Sequence, residues 1–226
     1  MYSSFKTVSS FAELVSTPFA DGVNALCWER DLDGDFDEVV SALGDGDGVR
    51  VLDEPNLLAL ALNAAGTLAR EHMLRDLRAL RERELDPVLN CIHGYPRDEE
   101  GPVPTDVFSW HVDSATTEAD TWLCSYAGDP SEGLPNEQAI RRVDIPETRA
   151  VLLEEYGGAD DADFQTYLSE CCYDLHYTAT EQSRPYSFGR FNLWRIATQY
   201  PDSPVLPCIH RAPVTRSDQP RLLLIA

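Results

Sequence analysis

Lysine is nearly absent from this chain: Lys6 is the only one, and every other basic position is arginine. Against 18 basic side chains stand 39 acidic ones, a formal net charge of -21. A surface of that sign repels phosphate backbones and anionic lipid, which argues against unassisted nucleic-acid binding and against adsorption to an acidic membrane. No run of about 18 apolar residues occurs, so no transmembrane helix is expected. The opening stretch MYSSFKTVSSFAELVS lacks the basic and then apolar regions of a secretion signal. Cys27, Cys91, Cys124, Cys171, Cys172 and Cys208 contain no C-x-x-C pair, so neither a zinc ribbon nor a redox pair is indicated. They read as free thiols in a reducing cytosol, and the expected location is cytoplasmic. No nucleophile elbow, P-loop or dinucleotide-binding glycine motif is present either. The Asp repeat at 31, 33, 35 and 37 fails as a calcium loop, because Phe36 and Ala42 stand where Gly and Glu are required.

What is present suits a folded domain. The chain has 226 residues, of which 43% are hydrophobic, enough for a core and too many for wholesale disorder. The acid excess with almost no lysine fits a high-salt cytoplasm or a low-lysine genome, and composition does not choose between them. VNALCW (23–28) reads as a strand and DFDEVVSAL (35–43) as a short helix, followed by a GDGDG loop. Leucines at helical spacing through 55–85 predict an amphipathic helical region that Gly66 divides, with His72 on its surface. After Pro87 the pattern changes to short apolar runs at 88–95, 106–113, 121–128, 188–197, 205–212 and 220–226, separated by Pro, Gly, Asp and Asn. Such spacing predicts a β-sandwich or barrel. The segment 163–175 reads as a helical insertion, and RAVLLEEY (149–156) as strand or helix. The chain is thus expected to be mainly β with N-terminal helices (α+β), residues 1–87 packing on a core at 88–226.

The chemistry concentrates on two of five histidines. In SWHVD, His111 and Asp113 lie two apart, so a strand places both on one face. His210 opens another strand-like run. Two imidazoles and a carboxylate make the facial triad of non-haem Fe(II) sites, with three adjacent positions open. Trp110 should face away from the ligands, into the core. His93 and His176 lack a partner at ligand spacing and read as non-ligands. The bland alternative makes His111 and Asp113 a structural pair and His210 a core residue.

The segment HRAPVTRSDQPRLLLIA, with Arg221 eleven residues after His210, resembles the Fe(II)/2-oxoglutarate-dependent dioxygenase superfamily. The stretch Arg216, Ser217, Asp218, Pro220, Arg221 is similar to its phytanoyl-type branch. SWHVD, YAGDPSEG and HRAP also resemble a little-characterised bacterial family. The superfamily likeness covers roughly 88–226. It implies a double-stranded β-helix (jelly-roll) core, with His111, Asp113 and His210 holding iron and Arg221 binding the far carboxylate of 2-oxoglutarate. Arginine suits that task through its planar two-point contact. The intact Asp113 carboxylate favours hydroxylation over halogenation. A small-molecule or amino-acid-like substrate is expected, with dioxygen as co-reactant.

Around this set stand further candidates. Tyr126 is placed to hydrogen-bond 2-oxoglutarate. Arg216 rivals Arg221 from a presumed turn, and Arg211 should point away from the metal. Cys208 should share the face of His210. Either Asn192, Trp194 and Ile196 or Phe191, Leu193 and Arg195 face the pocket, with Arg195 able to meet an acidic substrate or an ion-pair partner. Two other function classes fit the same sequence: a non-catalytic jelly-roll binding protein, and a cupin-like metalloenzyme that does not use 2-oxoglutarate.

Overall fold

The structure is a computed structural model, and it describes residues 4–98, 101–216 and 219–226. Short strands and capped helices alternate through the first third. Strand β1 (Phe5–Val8) leads to helix α1 (Phe11–Ser16), strand β2 (Ala25–Trp28), helix α2 (Phe36–Leu43), strand β3 (Val49–Leu52) and helices α3 (Glu54–Leu58) and α4 (Ala64–Arg81). Each helix start is dictated locally. Asp35 accepts the Glu38 N–H to open α2, and Asn63 accepts the N–H groups of Ala65 and Gly66 to open α4. Gly66 therefore lies in the first turn of α4 and does not divide it. The break falls at 59–63, where the Asn63 N–H is taken by Glu38 Oε1 at 2.8 Å. Gly34, at φ +121°, allows α2 and α4 to approach: a Cβ there would meet the Ala69 backbone nitrogen at 2.7 Å.

The remainder carries strands β4 (Val88–Ile92), β5 (Trp110–His111), β6 (Asp120–Ala127), β7 (Glu132–Leu134) and β8 (Ala139–Arg141). Helices α5 (Pro146–Tyr156) and α6 (Ala162–Glu170) follow, then β9 (His176–Ala179), β10 (Tyr186–Ser187), β11 (Leu193–Ala197), β12 (Ile209–Arg211) and β13 (Arg221–Ile225). The ambiguous run 149–156 is helix, opened by Pro146 and closed by Gly157 in the left-handed region. Helices α5 and α6 close over a small core of Val143, Leu152, Phe164 and Leu168.

Among the described residues, thirteen strands form two sheets, so the fold is mixed α/β. The larger has the order β1-β2-β11-β6-β13-β4-β3, and the smaller β10-β7-β12-β5-β9-β8. Residues 1–87 thus contribute three strands to the larger sheet as well as four helices. Side-chain alternation assigns the two faces of that sheet. Trp122, Cys124, Leu222 and Leu224 join the helices in one core, whereas Leu123, Leu223, Trp194 and Ile196 meet Cys208, the residue before β12, in another. The unbroken apolar run of β13 follows from burial on both faces. Truncating one such leucine to alanine typically costs about 2–5 kcal/mol. All six cysteines are free thiols, four of them buried. No helix among the described residues is long and apolar enough to cross a membrane.

Candidate metal centre

Strand β5 is only two residues long, and its neighbours position it. His111 pairs with His210 of β12 on one side and with His176 of β9 on the other. Directly paired residues point to the same face, so all three imidazoles share one side of the smaller sheet. Cys208, two before His210 on the same side, belongs to the core between the sheets. The histidine row therefore faces the interior. Trp110 and Ile209 alternate to the other side, where they pack with Val112 and Leu134. Past the strand, the Asp113 carbonyl accepts the Gln199 N–H at 2.8 Å, which holds the loop close to the sheet.

The three expected ligands come together. One donor atom from each of His111, Asp113 and His210 lies within 4.8 Å of the others. Asp113 Oδ2 is 3.7 Å from His210 Nε2, and the His111 and His210 rings are 4.5 Å apart. Each ring is oriented through its other nitrogen. His111 Nδ1 donates to the Ser109 carbonyl at 2.8 Å, and His210 Nδ1 donates to the Cys208 carbonyl at 3.2 Å. Those bonds keep the proton on Nδ1 and leave both Nε2 lone pairs for an ion. Thr121 donates its hydroxyl to Asp113 Oδ2 at 2.5 Å and orients the carboxylate.

Electrostatics favour the ligand forms of His111 and Asp113. Burial, reinforced by His210, pushes His111 down to about 4. Burial alone would raise Asp113, but attraction to His210, the Thr121 hydroxyl and His111 outweighs it and holds the carboxyl below its ordinary range. A neutral imidazole and an ionised carboxylate are the states a divalent ion needs. This group can hold a metal, and two nitrogens with one oxygen suit a first-row divalent cation.

Arg221 sits on β13, also between the sheets, and is 1% exposed. Its NH2 donates to Ser131 Oγ at 3.1 Å and Ser125 Oγ at 3.4 Å, while Nε and NH1 have no hydrogen-bond partner among the described residues. Ser131 lies two residues before Gly133, which pairs with His210, so Arg221 reaches from the larger sheet to the β7 side of the smaller one. Thr215 Oγ1 is also buried without a partner among the described residues and lines the same small hollow as Arg221. Gly128, at φ +72°, leaves the needed room: a Cβ there would meet Arg221 Cγ at 2.8 Å. A buried guanidinium with two nitrogens left without a partner among the described residues is costly. The orphaned donors fit a carboxylate.

Tyr126 is not part of this group. Its neighbour Ser125 points to Arg221, so period-two alternation turns Tyr126 to the helix layer. There its hydroxyl donates to Asp76 Oδ2 at 2.6 Å, and Asp76 pairs with Arg30 at 2.7 Å. Trp194 and Ile196 face the space between the sheets, whereas Leu193 packs under the helices. Asn192 accepts the Arg30 N–H at 3.1 Å, and Arg195 pairs with Asp120 at 2.6 Å. Arg211 points away from the triad, over the Trp110 ring and onto Glu132. Arg216 lies exposed in the turn, and Ser217 and Asp218 fall outside the described residues. His93 contacts Cys91 Sγ at 3.5 Å, remote from the ligands in the strand order. His72 meets Arg75 at 3.4 Å on α4.

Sequence reasoning missed Ser109, Thr121, Ser125, Ser131 and the closeness of His176. Thr121 opens the strand after H-x-D and had a local signal. The others meet the site through pairings between distant strands. Compared with protein-family models, curated proteins and solved structures, the chain matches none.

Proposed function

We propose that this protein is an Fe(II)/2-oxoglutarate-dependent oxygenase that hydroxylates a small-molecule or amino-acid-like substrate and converts 2-oxoglutarate to succinate and carbon dioxide. The observation that carries the reading is two half-sites inside one sandwich: a His-Asp-His triad at the smaller sheet, and on β13 of the larger sheet a buried arginine with two nitrogens that have no hydrogen-bond partner among the described residues.

The strand order supports a jelly-roll core. Counting from β4 and leaving out β8 and β9, the first, eighth, third and sixth strands adjoin in the larger sheet. The second, seventh, fourth and fifth adjoin in the smaller. Two interlocked Greek keys produce that arrangement.

His111 Nε2, His210 Nε2 and an Asp113 oxygen would hold the iron, which when bound with 2-oxoglutarate supplies dioxygen activation. Arg221, with Ser131 and Thr215 beside it, would bind the far carboxylate and set the cosubstrate's direction. Thr121 keeps Asp113 aimed at the ion. Trp194, Ile196, Leu223 and Cys208 keep the interior dry, which strengthens every charge interaction within it. The free thiols and acidic surface agree with a cytoplasmic setting.

The test is anaerobic titration of purified protein with Fe(II) and then 2-oxoglutarate, following the weak visible charge-transfer band of the ternary complex. The band is expected in the natural protein and lost in His111→Ala and Arg221→Ala. Iron binding without a band would point to a metalloenzyme that does not use 2-oxoglutarate. Absence of iron binding in folded protein would leave a non-catalytic binding module.

A further inference from the structure

The third histidine of the row has no part in the triad, yet it is tied to it. His176 is buried on β9, opposite His111 in register, with the two rings 5.8 Å apart. Its Nδ1 lies 2.8 Å from Ser109 Oγ. The proton on that bond can be assigned. Ser109 has one hydroxyl proton and directs it to the Asp106 carbonyl at 2.7 Å, so it can only accept from the imidazole. His176 therefore carries its proton on Nδ1. The same Ser109 accepts the Nδ1 proton of His111 on its carbonyl at 2.8 Å. One residue thus holds one imidazole by its main chain and the other by its side chain. A tight turn fixes Ser109 from the opposite direction, since Asp106 Oδ1 accepts its N–H at 3.1 Å.

We infer that Ser109 and His176 form a clamp that fixes the tautomer and aim of His111, making both of them positioning residues for the metal centre. The clamp explains why an imidazole is buried one strand away from a ligand when an aliphatic side chain would fill the space. Without the His176 bond, Ser109 is held only by its turn, and its carbonyl is free to tilt away from His111. A misaligned carbonyl lets the His111 proton move to Nε2, the atom the ion requires. The inference rests on the metal reading given above.

Two measurements test it, and they fail separately. The first is nitrogen-detected NMR of metal-free protein labelled at histidine. His111 and His176 are expected as Nδ1–H tautomers, and a proton on Nε2 of His176 would overturn the clamp. The second is anaerobic titration with Co(II), read by its visible spectrum, on the natural protein and on Ser109→Ala, His176→Ala and His176→Asn. Asparagine places an amide N–H near the Nδ1 position and should keep affinity close to that of the natural protein. The two alanine variants should bind about tenfold to a hundredfold more weakly, the usual loss when the partner of a ligating histidine is removed. Unchanged affinity in both alanine variants refutes the clamp, as does a loss in the asparagine variant equal to that in His176→Ala. Should His176→Ala not fold, Ser109→Ala and His176→Asn still decide. If the natural protein binds no Co(II), the metal reading fails, and the tautomers alone judge the clamp.

Discussion

His210 stands directly opposite His111 across β5 and β12, with ring centroids 4.5 Å apart. Two imidazoles so close, and buried, cannot both be protonated without severe repulsion. Asp113, 3.7 Å from His210, supplies the negative charge that a divalent ion would meet. The pairing register therefore brings two imidazole nitrogens and one carboxylate within reach of one ion.

Acid should destabilise the metal-free protein over a defined window. Burial, with Arg142 adding to it, pushes His176 from the ordinary 6.5 down to about 4, and burial with His210 does the same for His111. The unfolded chain then binds more protons than the folded one between those values, so stability rises with pH there. The contribution is full above about 6.5 and is lost as pH falls towards about 4, a change of about 3 kcal/mol for His176 alone. Urea unfolding at about pH 7 and about pH 5 should show the drop, with His176→Asn flattening it. Equal slopes in both proteins would assign the acid sensitivity elsewhere.

Arg221 separates stability from binding. Burial depresses its pKa, and two of its nitrogens lack hydrogen-bond partners among the described residues. Replacing it by methionine removes a buried charge that has no direct carboxylate bond among the described residues while filling much of the volume, so Arg221→Met should melt no lower than the natural protein. Its affinity for 2-oxoglutarate should fall at least about tenfold, since a lost buried charge pair costs about 2–5 kcal/mol. Calorimetry of both quantities checks this. A large fall in melting temperature would show that Arg221 is structural.

Thr121 should matter to the ion through Asp113. Thr121→Val keeps the shape and deletes the hydroxyl that donates to Asp113 Oδ2. Metal affinity is expected to drop about tenfold, the lower end for loss of a ligand's partner, with little change in the circular dichroism spectrum. Affinity equal to the natural protein would mean that the loop backbone alone orients the carboxylate.

Tyr126→Phe should leave 2-oxoglutarate binding untouched and weaken the fold. The hydroxyl ties β6 to α4 through Asp76, which also holds Arg30. Its removal takes one bond from a buried carboxylate and should cost about 1–3 kcal/mol. Asp76→Ala, which strands Arg30, should cost about 3–5 kcal/mol. Denaturant midpoints measure both. A change in cosubstrate affinity without a stability change would return Tyr126 to the site.

Local pattern made much of the site legible. His111 and Asp113 share a face because strand side chains alternate. Arg221 opens the apolar run of β13, and its distance from His210 carried the resemblance. The helices α2 and α4 follow from their caps and leucine spacing. Other elements were not legible. Phe5–Val8 and Val49–Leu52 carry little apolar alternation and are strands because β2 and β4 offer them open edges. Tyr126 could be assigned to a strand, but the face it shows depends on which layer packs on each side.

Composition, periodicity and spacing by themselves determined that the chain folds around a β-rich core, carries a short helix near 35–43 and a helical region within 55–85, and holds a His-x-Asp pair with a distant histidine and arginine. Those are properties of nearby residues, set by helix and strand geometry. Only the tertiary structure decided that His176 lies beside His111, that Ser131 and Thr215 border Arg221, and that Tyr126 belongs to the helix layer. These depend on register between strands far apart in the chain, and a shift of one residue would turn each side chain to the other face.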